Sequence, residues 1–210
     1  MAAKASPRKP IVATDSSEVA TSCATYGIPV VMTSSEHPSG TDRVAEAATR
    51  PEFLGFDVIV NVQGDEPFVS FESVAGAVRI VTDGRAVIGT AAAPAGRSVL
   101  DRTDVVKVVC DDDGRALYFS RAPIPFLRDA ADTARQTPLI RQHVGVYAYT
   151  SQALLQWVGW PPHDLEMIER LEQLRPLAHG LAIGVVQVPE VEGGIDTEDD
   201  LVRANARWAM

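Results

Sequence analysis

The apolar run Val58-Ile59-Val60 leads directly into Asn61-Val62-Gln63-Gly64-Asp65-Glu66-Pro67, and this junction constrains the chain more than any other stretch. A run rich in β-branched residues reads as a buried strand, and a glycine followed by two acids and a proline reads as the turn at its carboxyl end. In an open α/β sheet that edge is where ligands bind. Asp65 would then sit on rigid scaffold, facing a crevice in which a hard cation such as Mg²⁺ bridges protein and phosphate. The same residues also suit a solvated acidic turn, since acids and glycine fill turns for local reasons. The rest of the chain has to decide between the two.

A chain of 210 residues can enclose a sizeable core as one large domain or two small ones. Its 46% hydrophobic and 22% charged residues exclude disorder as a whole-chain description. The net charge of -9, with no basic block, argues against a dedicated binder of nucleic acid or anionic membrane. A nucleotide substrate stays open, because a site can be locally positive or bridged by metal. Cys23 and Cys110 stand far apart with no C-x-x-C partner, which suits a reducing cytoplasm better than a disulfide scaffold or zinc site. No apolar segment approaches the ~18 residues of a membrane span, and residues 1–10 lack a signal peptide's apolar core. A soluble cytoplasmic protein is the expectation.

Taken in order, residues 11–15 read as a strand ending in a cap-like Asp15, residues 17–26 as a helix stopped by Gly27, and residues 28–32 as the next strand, a β-α-β unit. A polar loop over 33–40 leads to a helix opened by Thr41 as N-cap, where Ser39, Gly40 and Thr41 offer N–H groups and hydroxyls to an anion or simply cap the helix. Helix follows the acidic turn over about 71–81, and residues 87–91 read as a buried strand. Residues 105–110 and 116–120 read as a hairpin across the turn Asp113-Gly114. Its aspartate triplet lacks the ligand spacing of a calcium loop. Residues 127–137 read as a mobile loop. Residues 143–149 alternate as a strand with His143, Gly145, Tyr147 and Tyr149 on one face, either solvated or gripping a ligand. Leu165, Ile168, Leu171 and Leu174 predict an amphipathic helix with its acids facing solvent. A late strand over 184–188 precedes a turn at Gly193-Gly194 and a terminal helix, with Asp196 and Thr197 at its amino end.

The ordered motifs I-V-A-T-D at 11–15, H-P-S-G-T-D-R at 37–43, N-V-Q-G-D-E-P at 61–67, V-V-K-V-V at 105–109, A-L-Y-F-S-R-A-P-I-P at 116–125, H-V-G-V-Y-A-Y at 143–149, L-E-x-x-E-x-L-E-Q-L-R at 165–175 and G-x-D-T-E-D-D-L at 194–201 resemble the 3-deoxy-manno-octulosonate cytidylyltransferases, or CMP-KDO synthetases, over nearly the whole chain. The resemblance implies an α/β, Rossmann-like fold of the nucleotide-diphospho-sugar-transferase kind, with a mostly parallel sheet. It implies one domain over 1–210 with an atypical leader at 1–10 and a β-rich dimerisation insertion at about 105–149. It implies transfer of a cytidylyl group from CTP to the acid sugar KDO, releasing pyrophosphate for lipopolysaccharide assembly, with Mg²⁺ as cofactor and a homodimer as the assembly. Charge neutralisation at the triphosphate is the main physical demand of such a reaction.

Carried over by position, Asp65 and Asp196 match the magnesium-holding, catalytic aspartates, and Gln63 matches a glutamine at the junction of the two substrates. Ser39, Gly40 and Thr41 fall in the nucleotide pocket. His143, Tyr147, Glu172 and Gln173 match the sugar pocket, and Arg43 and Arg121 suit the KDO carboxylate, whose geometry a guanidinium fork complements. Family members begin with a further strand and a loop P-A-R-x-x-S-x-R-L-P-G-K-P-L that binds triphosphate, and here Met1 to Pro10 stands in their place. A start codon assigned too late, a degraded gene copy or a second chain would each explain this. The expectation is a chain with little activity by itself. Transfer to another ulosonic acid such as a sialic acid, or an inactive binding remnant, are the alternatives.

Overall fold

The computed structural model describes residues 10–191, 193–195 and 197–208, and these fall in two compact units, Met1–Gly55 and Phe56–Met210. No helix among the described residues is long and apolar enough to cross a membrane.

The first unit is the expected β-α-β. Strands β1 (Val12–Thr14) and β2 (Val30–Met32) are parallel neighbours, joined by α1 (Ser17–Thr25). The cap of α1 is Ser16 rather than Asp15: the serine hydroxyl accepts from the Val19 N–H, and Gly27 closes the helix at φ 65°. Helix α2 (Gly40–Ala48) is capped two residues earlier than expected. Ser39, not Thr41, is the N-cap: its Oγ accepts from the Asp42 N–H at 3.2 Å and donates to Asp42 Oδ2 at 2.5 Å, while Thr41 is buried. Two side chains of α2 tie it to the strand ends. Arg43 donates to Thr33 Oγ1 at 2.6 Å and pairs with Asp15 at 3.1 Å; Glu46 accepts from Ser34 N and meets His37 and Arg50. The Ser34 N–H, then His37, hold the Glu46 carboxyl below its ordinary pKa.

The second unit contains β3 (Val58–Val62), α3 (Phe71–Thr82), β4 (Ile88–Pro94), β5 (Lys107–Cys110), β6 (Ala116–Ser120), α4 (Thr133–Gln136), β7 (Arg141–Thr150), α5 (Ser151–Gly159), α6 (Asp164–Glu169), α7 (Leu174–Ala178), β8 (Ile183–Gln187) and α8 (Glu198–Trp208). The sheet order is β6-β5-β7-β4-β8, with β3 also on β7. Strands β4 and β8 are parallel, and β3 runs the same way with the antiparallel β7 between it and β4. The α/β fold class is as expected. Helix α3 lies so close to the sheet that a Cβ on Gly89 would stand 2.2 Å from the Ala77 carbonyl, so only glycine fits there. Across the sheet, α5 buries Leu154 and Trp157, whose indole packs edge-on against the rings of Tyr147 and Tyr149.

Further expectations fail. Residues 127–137 are not a plain loop but successive short turns of helix at Ala130–Asp132, Thr133–Gln136 and Thr137–Leu139. The single helix over 165–174 is broken: Arg170 adopts a left-handed conformation at φ 55° between α6 and α7. The reason lies in the stripe itself. Leucines and isoleucine spaced by three drift around a helix, so Leu165 and Leu174 would stand about 180° apart on a continuous one. The break lets Leu171 and Leu174 enter the core while Ile168 stays exposed. Nor do all the acids face water. Glu166 is buried, with Oε2 2.7 Å from Arg175 Nε and Oε1 2.5 Å from Arg175 Nη2, and Arg175 also donates to the Trp160 carbonyl. Removing one partner of a buried ion pair strands the other charge. Arg175→Met is expected to cost about 3–5 kcal/mol in chemical denaturation; a loss below about 0.5 kcal/mol would show that the pair holds little together.

Candidate active site

Strand β7 is irregular where a cavity of the second unit opens. Thr90 of β4 pairs with Tyr147 and the next residue, Ala91, with Val144, so Gly145 and Val146 bulge out of that ladder. On its other edge β7 receives β3 up to Val146 and then β5 from Gln142. The polar groups freed between these strands are met individually. The Gly145 carbonyl accepts from Gln63 N at 3.2 Å, the Gly145 N–H donates to Glu66 Oε1 at 3.2 Å, and His143 N donates to the Val106 carbonyl at 2.9 Å. A bulge bends its strand and re-aims side chains, and this one sets His143 and Gly145 into the wall of a cavity of about 530 Å³.

Gln63, Asp65 and Glu66 line one side of that cavity, at the end of β3. Asp65 is exposed, and its carbonyl accepts from the Ile195 N–H at 2.8 Å, tying the acidic turn to the segment leading into α8. Helix α8 is capped by Thr197, whose N–H and Oγ1 both meet Asp200 Oδ2, and it contributes Asp200, Arg203 and Arg207 to the wall. The Arg207 guanidinium lies 4.2 Å above the Phe68 ring. Asp196 lies outside the described residues.

The remaining wall carries Arg102, Asp104 and Arg121, and a buried lysine holds it. Lys107 Nζ donates to the carbonyls of Arg102, Val105 and Arg121, which gathers the loop before β5 and the end of β6 around one ammonium. Burial lowers the Lys107 pKa. Glu169 fixes Arg121 from behind, accepting from the Ser120 hydroxyl at 2.6 Å, from Arg121 N at 3.0 Å and, through its carbonyl, from Arg121 Nε at 3.1 Å. Arg121 Nη1 donates to the Thr103 and Asp104 carbonyls, which leaves Nη2 without a partner among the described residues. Arg102 beside Asp104 keeps that carboxyl below its ordinary pKa.

Gln63, Asp65, Arg121 and His143 therefore share one cavity. Tyr147, Glu172 and Gln173 do not line it. The Tyr147 ring stands behind the His143 ring, with centroids 5.4 Å apart, and its buried hydroxyl has no hydrogen-bond partner among the described residues. Desolvation, with Tyr149 and Glu172 nearby, drives the Tyr147 pKa well up, so its hydroxyl keeps its proton. Gln173 is buried at the start of α7, and Glu172 is half-buried. Ser39, Gly40, Thr41 and Arg43 belong to the first unit, where Arg43 braces strand ends. Among the described residues no set of three or more His, Cys, Asp and Glu side chains converges as metal ligands. Asp65 still fits a magnesium ion chemically, since Mg²⁺ keeps several waters and takes one or two carboxylates beside substrate phosphates.

Sequence reasoning missed Thr90, Glu66, Lys107, Glu169 and the arginines of α8. A lone lysine within V-V-K-V-V was a legible signal, because an isolated cation in an apolar strand needs acceptors. The others carried none, being ordinary polar residues whose partners are remote in sequence.

A sequence profile of the cytidylyltransferase family matches residues 2–183. A 3-deoxy-manno-octulosonate cytidylyltransferase of Gemmatimonas aurantiaca is 72% identical over 198 residues, covering 94% of this chain and 77% of its own. One from Legionella pneumophila strain Paris is 43% identical over 202 residues, with 95% and 80% covered. Among solved structures, CMP:2-keto-3-deoxy-manno-octonic acid synthetase complexed with CTP superposes with a TM-score of 0.86 at 32% identity, over 98% of this chain and 82% of its own. A putative glucose-1-phosphate thymidylyltransferase from Bacillus anthracis shares the fold, with a TM-score of 0.57 at 14% identity over 90% of this chain and 70% of its own.

Two measurements check this geometry. A Cβ on Gly145 would lie 3.1 Å from Glu66 Oε1 and 3.4 Å from Gln63 Cγ. Gly145→Ala is expected to destabilise by about 1–3 kcal/mol through overpacking, measured by urea denaturation, with an unchanged midpoint refuting the contact. His143, desolvated within the unit, has its pKa lowered to about 3. Its unfolded value is about 6.5, so between those values the unfolded chain holds the extra proton. The stability that depends on a neutral His143 is complete above about pH 6.5 and is lost as pH falls toward 3. His143→Gln should flatten the stability curve across that window.

Proposed function

This chain belongs to the cytidylyltransferase family, and on that premise we propose that it couples CTP to 3-deoxy-manno-octulosonate, giving CMP-KDO and pyrophosphate for lipopolysaccharide assembly. The sugar's anomeric oxygen forms a bond to the α-phosphorus of CTP as the bond from that phosphorus to the β-phosphate oxygen breaks, and the hydroxyl proton leaves to solvent. Such a displacement needs alignment and charge stabilisation more than covalent help from protein. The observation that carries the reading is the composition of one cavity: an exposed carboxylate, Asp65, faces the same space as a guanidinium, Arg121, braced by Glu169 and three carbonyl contacts.

Within this reading Arg121 receives the sugar's carboxylate, and Gln63 stands at the junction of the two substrates. Tyr147, with Glu172 near it, takes a sugar hydroxyl, and Gln173 serves the same sugar. A buried hydroxyl without a partner is costly unless a ligand supplies one. Ser39, Gly40 and Thr41, at the start of the nine-residue α2, serve the nucleotide, and Arg43 holds that helix in place. Asp65 and Asp196 would hold Mg²⁺, which when bound supplies charge neutralisation at the triphosphate. We place the enzyme in the cytoplasm, where CTP is available, and expect a homodimer formed through the β-rich segment at about 105–149.

The test is release of pyrophosphate from CTP, KDO and Mg²⁺. Asp65→Asn is expected to lower turnover on the order of 100-fold or more. Tyr147→Phe should raise the KM for KDO on the order of tenfold, the value of one neutral hydrogen bond, and leave the KM for CTP in place. A folded protein that makes no CMP-KDO, or full activity in Asp65→Asn, overturns the assignment.

A further inference from the structure

Thr90 lies under the β7 bulge and is completely buried. Its Oγ1 is 2.7 Å from the Val146 carbonyl and 2.9 Å from His143 Nε2, with the Val144 carbonyl more distant at 3.4 Å. A hydroxyl has one proton to donate and two lone pairs to accept with. The Val146 oxygen can only accept, and two oxygens at 2.7 Å with no proton between them would repel, so the Thr90 proton points at Val146. The contact to His143 must then carry a proton from the imidazole side: Nε2 is the N–H, and Oγ1 accepts. On a neutral imidazole, which burial enforces here, the other nitrogen is a bare lone pair.

From this chain of bonds we infer that Thr90 is a positioning residue that fixes His143 as the Nε2–H tautomer and presents Nδ1 to the cavity as a hydrogen-bond acceptor. Nδ1 has no partner among the described residues, and the ring lines the cavity. A lone pair attracts an O–H donor and repels a carboxylate. Resting on the reaction proposed above, this orients an acid sugar. The carboxylate turns to Arg121 and a hydroxyl donates to His143. Specificity of this kind discriminates strongly, because a substrate lacking that hydroxyl leaves a polar group of the site unpaired.

The tautomer is read directly by ¹⁵N-correlated NMR of the labelled, substrate-free protein. The expected spectrum shows a protonated Nε2 and an unprotonated Nδ1 on His143. Thr90→Val keeps the β-branched shape but removes the hydroxyl. It should mix or reverse the tautomer and raise the KM for KDO on the order of tenfold, with a smaller change in kcat. Thr90→Ser restores the hydroxyl and should restore the Nε2–H signature, which separates the bond from mere packing and covers the case in which the valine variant folds poorly. A wild-type spectrum with Nδ1–H, or valine and serine variants that behave alike, overturns the inference. The NMR result needs no turnover. An Nε2–H tautomer in a protein that does not use KDO would sink the proposed reaction and leave the Thr90 lock standing.

Discussion

The second unit depends on a two-residue bulge. By letting Gly145 and Val146 leave the β4 ladder, strand β7 serves two partners in succession along its other edge, β3 and then β5. Without the bulge the ladder would run straight and its polar groups would be consumed by backbone pairing. With it, each freed group is matched to a particular side chain or loop: Glu66 takes the Gly145 N–H, Gln63 N takes the Gly145 carbonyl, and Thr90 takes the Val146 carbonyl. Buried backbone groups are almost always satisfied, so the bulge can exist only with those partners present. Gln63, Glu66 and Gly145, which line the cavity, are therefore also the residues that make and satisfy the irregularity.

Around that defect the cavity wall is braced by buried charge rather than by apolar packing alone. Lys107 gathers three carbonyls, and the half-buried Glu169 clamps the Ser120 hydroxyl and the Arg121 N–H; away from the cavity, Glu166 pairs with Arg175 where α6 meets α7. The first two arrangements immobilise the segments that carry Arg102 and Arg121, in keeping with the need to hold a site within a fraction of an ångström of its working geometry. Arg121 shows the consequence. A free arginine has many rotamers, whereas this one spends Nε and Nη1 on carbonyls and leaves only Nη2 uncommitted among the described residues.

Local signals carried a large share of the architecture. Strand and helix periods located most elements to within a few residues, and Gly27 and the Asp113-Gly114 turn ended segments where glycine's conformational freedom is required. Gln63, Asp65, Arg121 and His143, which line one cavity, were each marked in the sequence, Gln63 and Arg121 by motif resemblance alone, Asp65 also by its position after a strand and His143 also by the alternation of its strand. Two of the errors were of one kind. The stripe at 165–174 and the N-cap at 41 were read as if the local pattern were final, but a kink at Arg170 and a serine two residues earlier proved better satisfied in three dimensions.

The sequence by itself determined the family, the α/β class and the cluster of acid and amide at the end of β3, because these follow from periodicity, turn chemistry and ordered motifs that the chain displays locally. Only the tertiary structure decided that Thr90 meets His143, that Lys107 holds three carbonyls and that Glu166 is buried rather than solvated. Those contacts join residues that are distant along the chain or turned by a break in a helix. Their identity is set by which groups burial would otherwise leave unpaired, a condition that no local stretch of sequence expresses.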